Sequence, residues 1–160
     1  MHQAFYLHNL GIAHQKKGDY DWALEFFQQS LDLCEKTGDI PGTSKSYYQI
    51  GIVHQKRGDY DRALEYSYKS LGICEKIGDV TGISKSFNQI GIAHQNRGDY
   101  DWALEFFQQS LELAEKTEDI EGVSVSYQNI GIVHQKRGDY DKALELSSKA
   151  LEIKEKTEDI

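Results

Sequence analysis

The stretch that decides the fold is Gly51–Glu65, GIVHQKRGDYDRALE. It occurs four times with small changes. Gly11 opens GIAHQKKGDYDWALE, Gly91 opens GIAHQNRGDYDWALE and Gly131 opens GIVHQKRGDYDKALE, each copy 40 residues after the last. A fixed period between about 20 and 50 residues signals a quasi-linear array whose units pack only on their neighbours. The 160 residues therefore read as a single array of four repeats, 1–40, 41–80, 81–120 and 121–160. Glu158-Asp159-Ile160 matches Gly38-Asp39-Ile40 at the end of the first repeat. Natural arrays usually carry atypical terminal units. The clean periods at both ends lead to the expectation that the chain is part of a longer protein.

Each repeat reads as two helices. In the second, Pro41 suits a first turn, because the N–H it lacks would go unpaired there. Tyr47, Ile50, Gly51 and His54 fall at i, i+3, i+4 and i+7, one face of a helix. That helix stops near Arg57, where Gly58 can take the left-handed turn and a cation suits the C-terminal dipole. Asp59 and Asp61 offer N-caps to the next helix. Ala63, Leu64, Ser67, Ser70, Leu71 and Cys74 continue on helical spacing, up to a stop at Gly78. Proline occurs once in the whole chain, and no strand-like alternation competes. The expectation is all-α, eight helices.

Gly51 sits in mid-helix, where glycine costs about 1 kcal/mol against alanine. Its recurrence as Gly11, Gly91 and Gly131 suggests close approach of the second helix, with Ala23, Ala63, Ala103 and Ala143 as the small residues opposite.

These positions resemble the tetratricopeptide repeat over the whole chain. The family's aromatic opening position is held by Leu7, Tyr47, Phe87 and Tyr127, and its small-residue positions by the glycines and alanines just named. The following aromatic is kept as Phe27 and Phe107 but is Ser67 and Ser147 elsewhere. His14, His54, His94 and His134 replace the usual tyrosine. The closing proline is absent, with Glu35, Glu75, Glu115 and Glu155 in its place, which fits helices extended by nearly a turn. Such long repeats look like those of LGN/Pins polarity adaptors, kinesin light chains and prokaryotic signalling proteins. The resemblance implies a right-handed α-α superhelix of four helix-turn-helix repeats, its concave wall lined by the first helices.

Composition narrows the partners. A formal net charge of −8 argues against nucleic acid, which needs a dense Lys/Arg surface. No apolar run approaches a membrane span, and MHQAFYLHNL lacks the marks of a signal peptide. Cys34 and Cys74 stand one period apart, roughly 10 Å by helix packing and beyond disulfide reach. They read as small buried residues in a reducing compartment, so a cytoplasmic location is expected. The four histidines lack the i, i+3 or i, i+4 spacing of helical metal pairs and read as packed rings. Neutral when buried, they would oppose folding below pH ~6.5. Arg57-Gly58-Asp59, Arg97-Gly98-Asp99 and Arg137-Gly138-Asp139 spell RGD, but they read as helix end, turn glycine and cap rather than integrin ligands. Asp19-Tyr20-Asp21 and its copies lack the rest of a calcium loop. With no activated nucleophile, metal cluster or phosphate loop, the chain reads as a non-enzyme with neither metal nor cofactor.

The informative surface is the other side of each first helix. In the second repeat it carries Tyr48, Ile52 and Gln55, with Lys45, Gln49 and Lys56 beside them. The stripe recurs as His8, Asn9, Ile12 and Gln15, as Asn88, Gln89, Ile92 and Gln95 beside Lys85, and as Gln128, Asn129, Ile132 and Gln135. The resemblance implies that this face lines a peptide groove. Amides can offer a peptide backbone both donor and acceptor, over an isoleucine floor. Alternatively, the isoleucines seal one repeat against the next. The Lys/Asn pairs of the chaperone-tail clamp are replaced by pairs such as Tyr48/Ile52 and Asn88/Ile92, so that ligand is not expected. Lys45 and Lys85 remain as anion contacts. The last helix is more polar, with Ser147, Ser148, Lys149 and Lys154, yet Leu144, Leu151 and Ile153 still need cover. The leading reading is a protein-interaction scaffold holding a peptide segment. The alternative is a structural module stacking into a homo-oligomer through its open ends. The near-identity of repeats one and three also fits a consensus-like designed array or a recent duplication.

Overall fold

The computed structural model describes residues 2–158; Asp159 and Ile160, two of the three residues of the expected match to the end of the first repeat, lie outside them. Among the described residues there are eight helices and no strand: α1 His2–Lys17, α2 Tyr20–Thr37, α3 Ile40–Lys56, α4 Tyr60–Ile77, α5 Val80–Arg97, α6 Tyr100–Lys116, α7 Ile120–Lys136 and α8 Tyr140–Glu158. Contacts divide the chain into two compact units, Met1–Gly82 and Ile83–Ile160. The first holds α1–α4, and the second runs from within α5 to α8.

The turns follow from local chemistry. Gly58 takes φ +80°, and the helix end closes behind it. The Gly58 N–H donates to Gln55 O (3.0 Å) and the Asp59 N–H to His54 O (2.9 Å), so the last carbonyls are satisfied. Gly38 and Gly78 turn the corners between repeats in the same left-handed conformation; at the third such corner Glu118 adopts it instead, at φ +56°. Asp59 is the N-cap of α4, accepting from Arg62 N at 3.3 Å. Asp61 is not a cap. It lies inside the first turn, where its charge suits the N-terminal dipole. The RGD tripeptides are the expected helix end and turn, and at Asp59 and Asp139 the side chain is the expected cap.

Helical spacing located the core well. All six residues singled out on α4, from Ala63 to Cys74, are buried. In the first unit Ala23, Phe27, Leu31, Ile50 and Val53 form one cluster. In the second, Ala103, Phe107, Leu111, Ile130, Val133 and Leu146 form another. Each fully buried Phe, Leu or Ile contributes about 1.5–3 kcal/mol. Cys34 and Cys74 are free and buried, and burial with the nearby Asp39 carboxylate pushes the Cys34 thiol up.

The mid-helix glycines are where the expectation needs correcting. A Cβ on Gly11 would sit 2.6 Å from the Phe27 ring, and one on Gly91 2.6 Å from the Phe107 ring. The close neighbour is thus an aromatic ring, not Ala23 or Ala103. At Gly131 the alanine does take part, through the Ala143 carbonyl oxygen at an ordinary 3.5 Å.

Candidate functional site

In the first unit, α1 and α3 leave a cleft of about 430 Å³ between them. Phe5, His8, Asn9 and Ile12 of α1 face it, with Pro41, Gly42 and Lys45 of α3 on the other wall. One helical turn separates Phe5, Asn9 and Ile12, so the 3.6-residue repeat itself brings them to one face. Phe5 is largely exposed. The His8 imidazole is held below its usual range, by burial first and by the Lys45 ammonium second. His8 is therefore neutral here at physiological pH, and Lys45 is the cation of the cleft. Apolar side chains, the Asn9 amide, the Lys45 ammonium and the Asp39 carboxylate meet in this cleft.

Three of the expected groove residues, Asn9, Ile12 and Lys45, come together in this cleft. The others are distributed differently. Tyr48, Gln49, Ile52 and Gln55 are half-buried along α3, and Lys56 is exposed. Burial pushes the Tyr48 phenol up. In the second unit Asn88, Ile92, Gln95, Asn129 and Ile132 are half-buried, and Lys85, Gln128 and Gln135 are exposed. Two residues drop out of the accessible stripe: Gln15 and Gln89 are buried, at 8% and 3% exposure. Ile12 and Ile92 also pack against the two core clusters, so part of each isoleucine serves as the seal. Asn88 is occupied as well, its Nδ2 donating to Ser110 Oγ (2.9 Å) and its Oδ1 accepting from Asn129 Nδ2 (3.2 Å).

A second cleft, about 650 Å³, lies between α7 and α8, with Ile120, Val125 and Gln128 facing Ala150, Leu151 and Ile153. Among the described residues no group of three His, Cys, Asp or Glu is placed to hold a metal ion, and no helix is long and apolar enough to cross a membrane.

One recurring pair escaped the sequence reading. In every repeat the histidine Nδ1 points at the Asp of the following turn: His14–Asp19 at 3.3 Å, His54–Asp59 at 3.8 Å, His94–Asp99 at 3.4 Å and His134–Asp139 at 3.5 Å. Where this approach is shortest, at Asp19 and Asp99, the carboxylate makes no cap bond. Where it is longer, Asp59 and Asp139 cap the next helix. The rings stack as expected, His54 on Tyr66 and His94 on Phe106, each at 7° between planes. The signal was present: the helix-end bond from Asp59 N to His54 O carries the carboxylate back to the same residue's ring. Glu35, standing where the family has proline, accepts from the Tyr47 hydroxyl at 2.9 Å. With burial the larger cause, this pushes the Tyr47 phenol up to about 12.

The tetratricopeptide repeat family model matches residues 3–76 and 82–156. The chain belongs to the tetratricopeptide repeat family. Its fold is shared with BtubC (BKLC) from P. vanneervenii, at 18% identity and a TM-score of 0.85 over 97% of this chain and 64% of that one. It is shared also with aspartyl phosphate phosphatase F from Bacillus subtilis (16% identity, TM-score 0.89, 99% of this chain and 42% of that one). A Rap protein complexed with Competence and Sporulation Factor matches at 16% identity and a TM-score of 0.87, over 95% and 42%. At these identities the likeness is one of fold, and this repeat protein spans 64% or less of those chains. No curated protein matches it. The expected fold class, all-α helix-turn-helix repeats, is the one these structures have.

Proposed function

We propose that this tetratricopeptide repeat protein is a non-enzymatic interaction module of the cytoplasm that holds an extended peptide segment against the inner face of its first helices. The observation that carries this reading is the α1/α3 cleft, where Phe5 and Ile12 offer apolar contact, Asn9 an amide and Lys45 a positive charge. An extended backbone needs donors and acceptors together, which an amide supplies. Lys45 selects an acidic side chain or a terminal carboxylate beside an apolar one. The family supports an interaction role in general. The solved Rap complex with Competence and Sporulation Factor supports a fold able to hold a bound factor.

The test is selection of random displayed peptides on the wild-type chain. Their binding is then measured on an Asn9→Ala/Lys45→Ala variant of unchanged helicity. The expected outcome is enrichment of peptides with an acidic residue next to an apolar one, bound about tenfold more weakly by the variant, or about 1.4 kcal/mol. Peptides bound equally by both proteins, or no enrichment at all, would overturn the reading.

A further inference from the structure

In three of the four repeats an aromatic ring of the second helix stacks on the histidine of the first. Phe26 lies on His14 and Phe106 on His94, with ring centroids 5.4 and 5.8 Å apart. In the second repeat Tyr66 lies on His54 at 5.5 Å, with 7° between the planes. There the ring sits in a box of three groups. Besides His54, the Tyr47 ring is 6.0 Å away and the Lys69 ammonium 4.8 Å from the Tyr66 centroid. Lys69 is held by Glu65 at 2.6 Å and stands 5.7 Å from the Tyr47 ring.

The fourth repeat keeps the box and loses the ring. Tyr127, His134 and Lys149 stand where Tyr47, His54 and Lys69 stand, but Leu146 replaces Tyr66. Lys149 keeps its place, bonded to Glu145 at 2.9 Å and 5.9 Å from the Tyr127 ring. The His134 side chain is 22% exposed, against 8% for His54 under its tyrosine. The cleft here measures about 570 Å³ and is lined by all three groups, whereas its counterpart in the first unit, with Tyr66 in place, measures about 280 Å³. That counterpart is lined by residues of α2, α3 and α4, although the chain runs on beyond α4. The cleft in the second unit is built likewise from α6, α7 and α8, so a repeat following α8 would leave it open.

We propose that the box of Tyr127, His134 and Lys149 holds an aromatic side chain of a partner polypeptide, seated as Tyr66 is seated in the first unit. The ring stacks on the His134 imidazole beside the Lys149 ammonium, two contacts that favour an aromatic over an aliphatic side chain. The space exceeds one ring, since the first unit keeps about 280 Å³ with Tyr66 present. The segment carrying the ring therefore lies on along α6, where Gln108 lines the cleft. Gln108 Nε2 reaches Glu112 at 3.4 Å, which leaves the amide oxygen to accept from a backbone N–H. The site belongs to the second unit and does not rest on the reading of the α1/α3 cleft.

Titration of the full chain with blocked tripeptides, followed by NMR of the His134 imidazole, tests it. Acetyl-Gly-Tyr-Gly-amide should shift the His134 signals saturably, with a dissociation constant on the order of 1 mM, and acetyl-Gly-Leu-Gly-amide should not. Leu146→Tyr fills the box from within and should abolish the shift at unchanged helicity. Lys149→Ala, an exposed change that leaves the core alone, should weaken binding about 2- to 5-fold, the range of one exposed cation–π contact. No saturable shift, equal binding of the leucine peptide, binding kept by a folded Leu146→Tyr chain, or full affinity in Lys149→Ala would each overturn the proposal. So would p-cresol binding as tightly as the peptide, which would make the ligand a free aromatic. A shift that grows with protein concentration alone would put a second copy's ring in the box and overturn it too.

Discussion

The first and fourth repeats place the same glycine against different surroundings. Gly11 lies over the Phe27 ring with no room for a Cβ, whereas Gly131 faces the Ala143 carbonyl, Leu146 and Ser147 at 3.5 Å. Of the residues that differ between the two second helices, the one that decides this contact is Phe27, replaced by Ser147 in the fourth repeat. An identical residue at an identical place in the period thus has two physical situations. In repeats one and three the glycine makes space for a ring. In repeat four nothing in contact requires it, and its backbone freedom is a cost alone.

The largest expected effect removes the ring. Phe107, fully buried in the second unit, should cost about 3–5 kcal/mol when changed to alanine, read as a fall in the thermal midpoint. Next is Gly91→Ala, which pushes a methyl into that ring and should cost about 1–3 kcal/mol. Combining the two sharpens the contrast, because the glycine change should lose its penalty once the ring is gone. An additive double mutant would show that the ring is not the cause. Gly131→Ala should act in the opposite sense and stabilise by about 0.5–1 kcal/mol through helix propensity; a fall in its midpoint would erase the distinction between the repeats.

The smallest effect concerns the histidine three residues on. Burial is the main cause holding His54 below its ordinary 6.5, with Asp59 opposing and Arg62 and Arg57 adding. The unfolded chain then binds the proton more readily. The stability contributed by the neutral ring is full above pH ~6.5 and is lost as pH falls below it. His54→Tyr should flatten that limb of the pH–stability curve, and an unchanged curve would refute the assignment.

Much of the fold was legible because it rests on spacing. The period, the helix ends at Gly58 and Gly78, and the buried face of α4 all follow from residue type and interval. The glycine partners were misjudged because small residues were matched to small residues. A planar ring close against a bare backbone fills the same space, and Phe27 and Phe107 hold the family's aromatic position. The site was legible more coarsely. A helix stripe names the candidates but not their depth. Gln15 within the stripe and Gln89 beside it are both buried. Asn88 and Asn129 are expected to be open to a ligand, yet Asn129 Nδ2 donates to Asn88 Oδ1, because two first helices run close enough for their amides to meet.

That amide pair also bears on how the chain assembles as it is made. Repeats one and three are near copies, so an emerging α7 meets two similar surfaces, on α1–α2 and on α5–α6. The position of Asn88 is His8 in the first repeat and Tyr48 in the second. Only α5 offers an amide at this position, Asn88, whose Oδ1 accepts from Asn129 Nδ2 while its Nδ2 donates onward to Ser110 Oγ. In a wrongly docked α7, Asn129 would be half-covered without that partner, at a cost of about 1–3 kcal/mol. A misregistered chain is the characteristic hazard of repetitive proteins during folding. Here a single asparagine pair marks which of two look-alike neighbours is the right one.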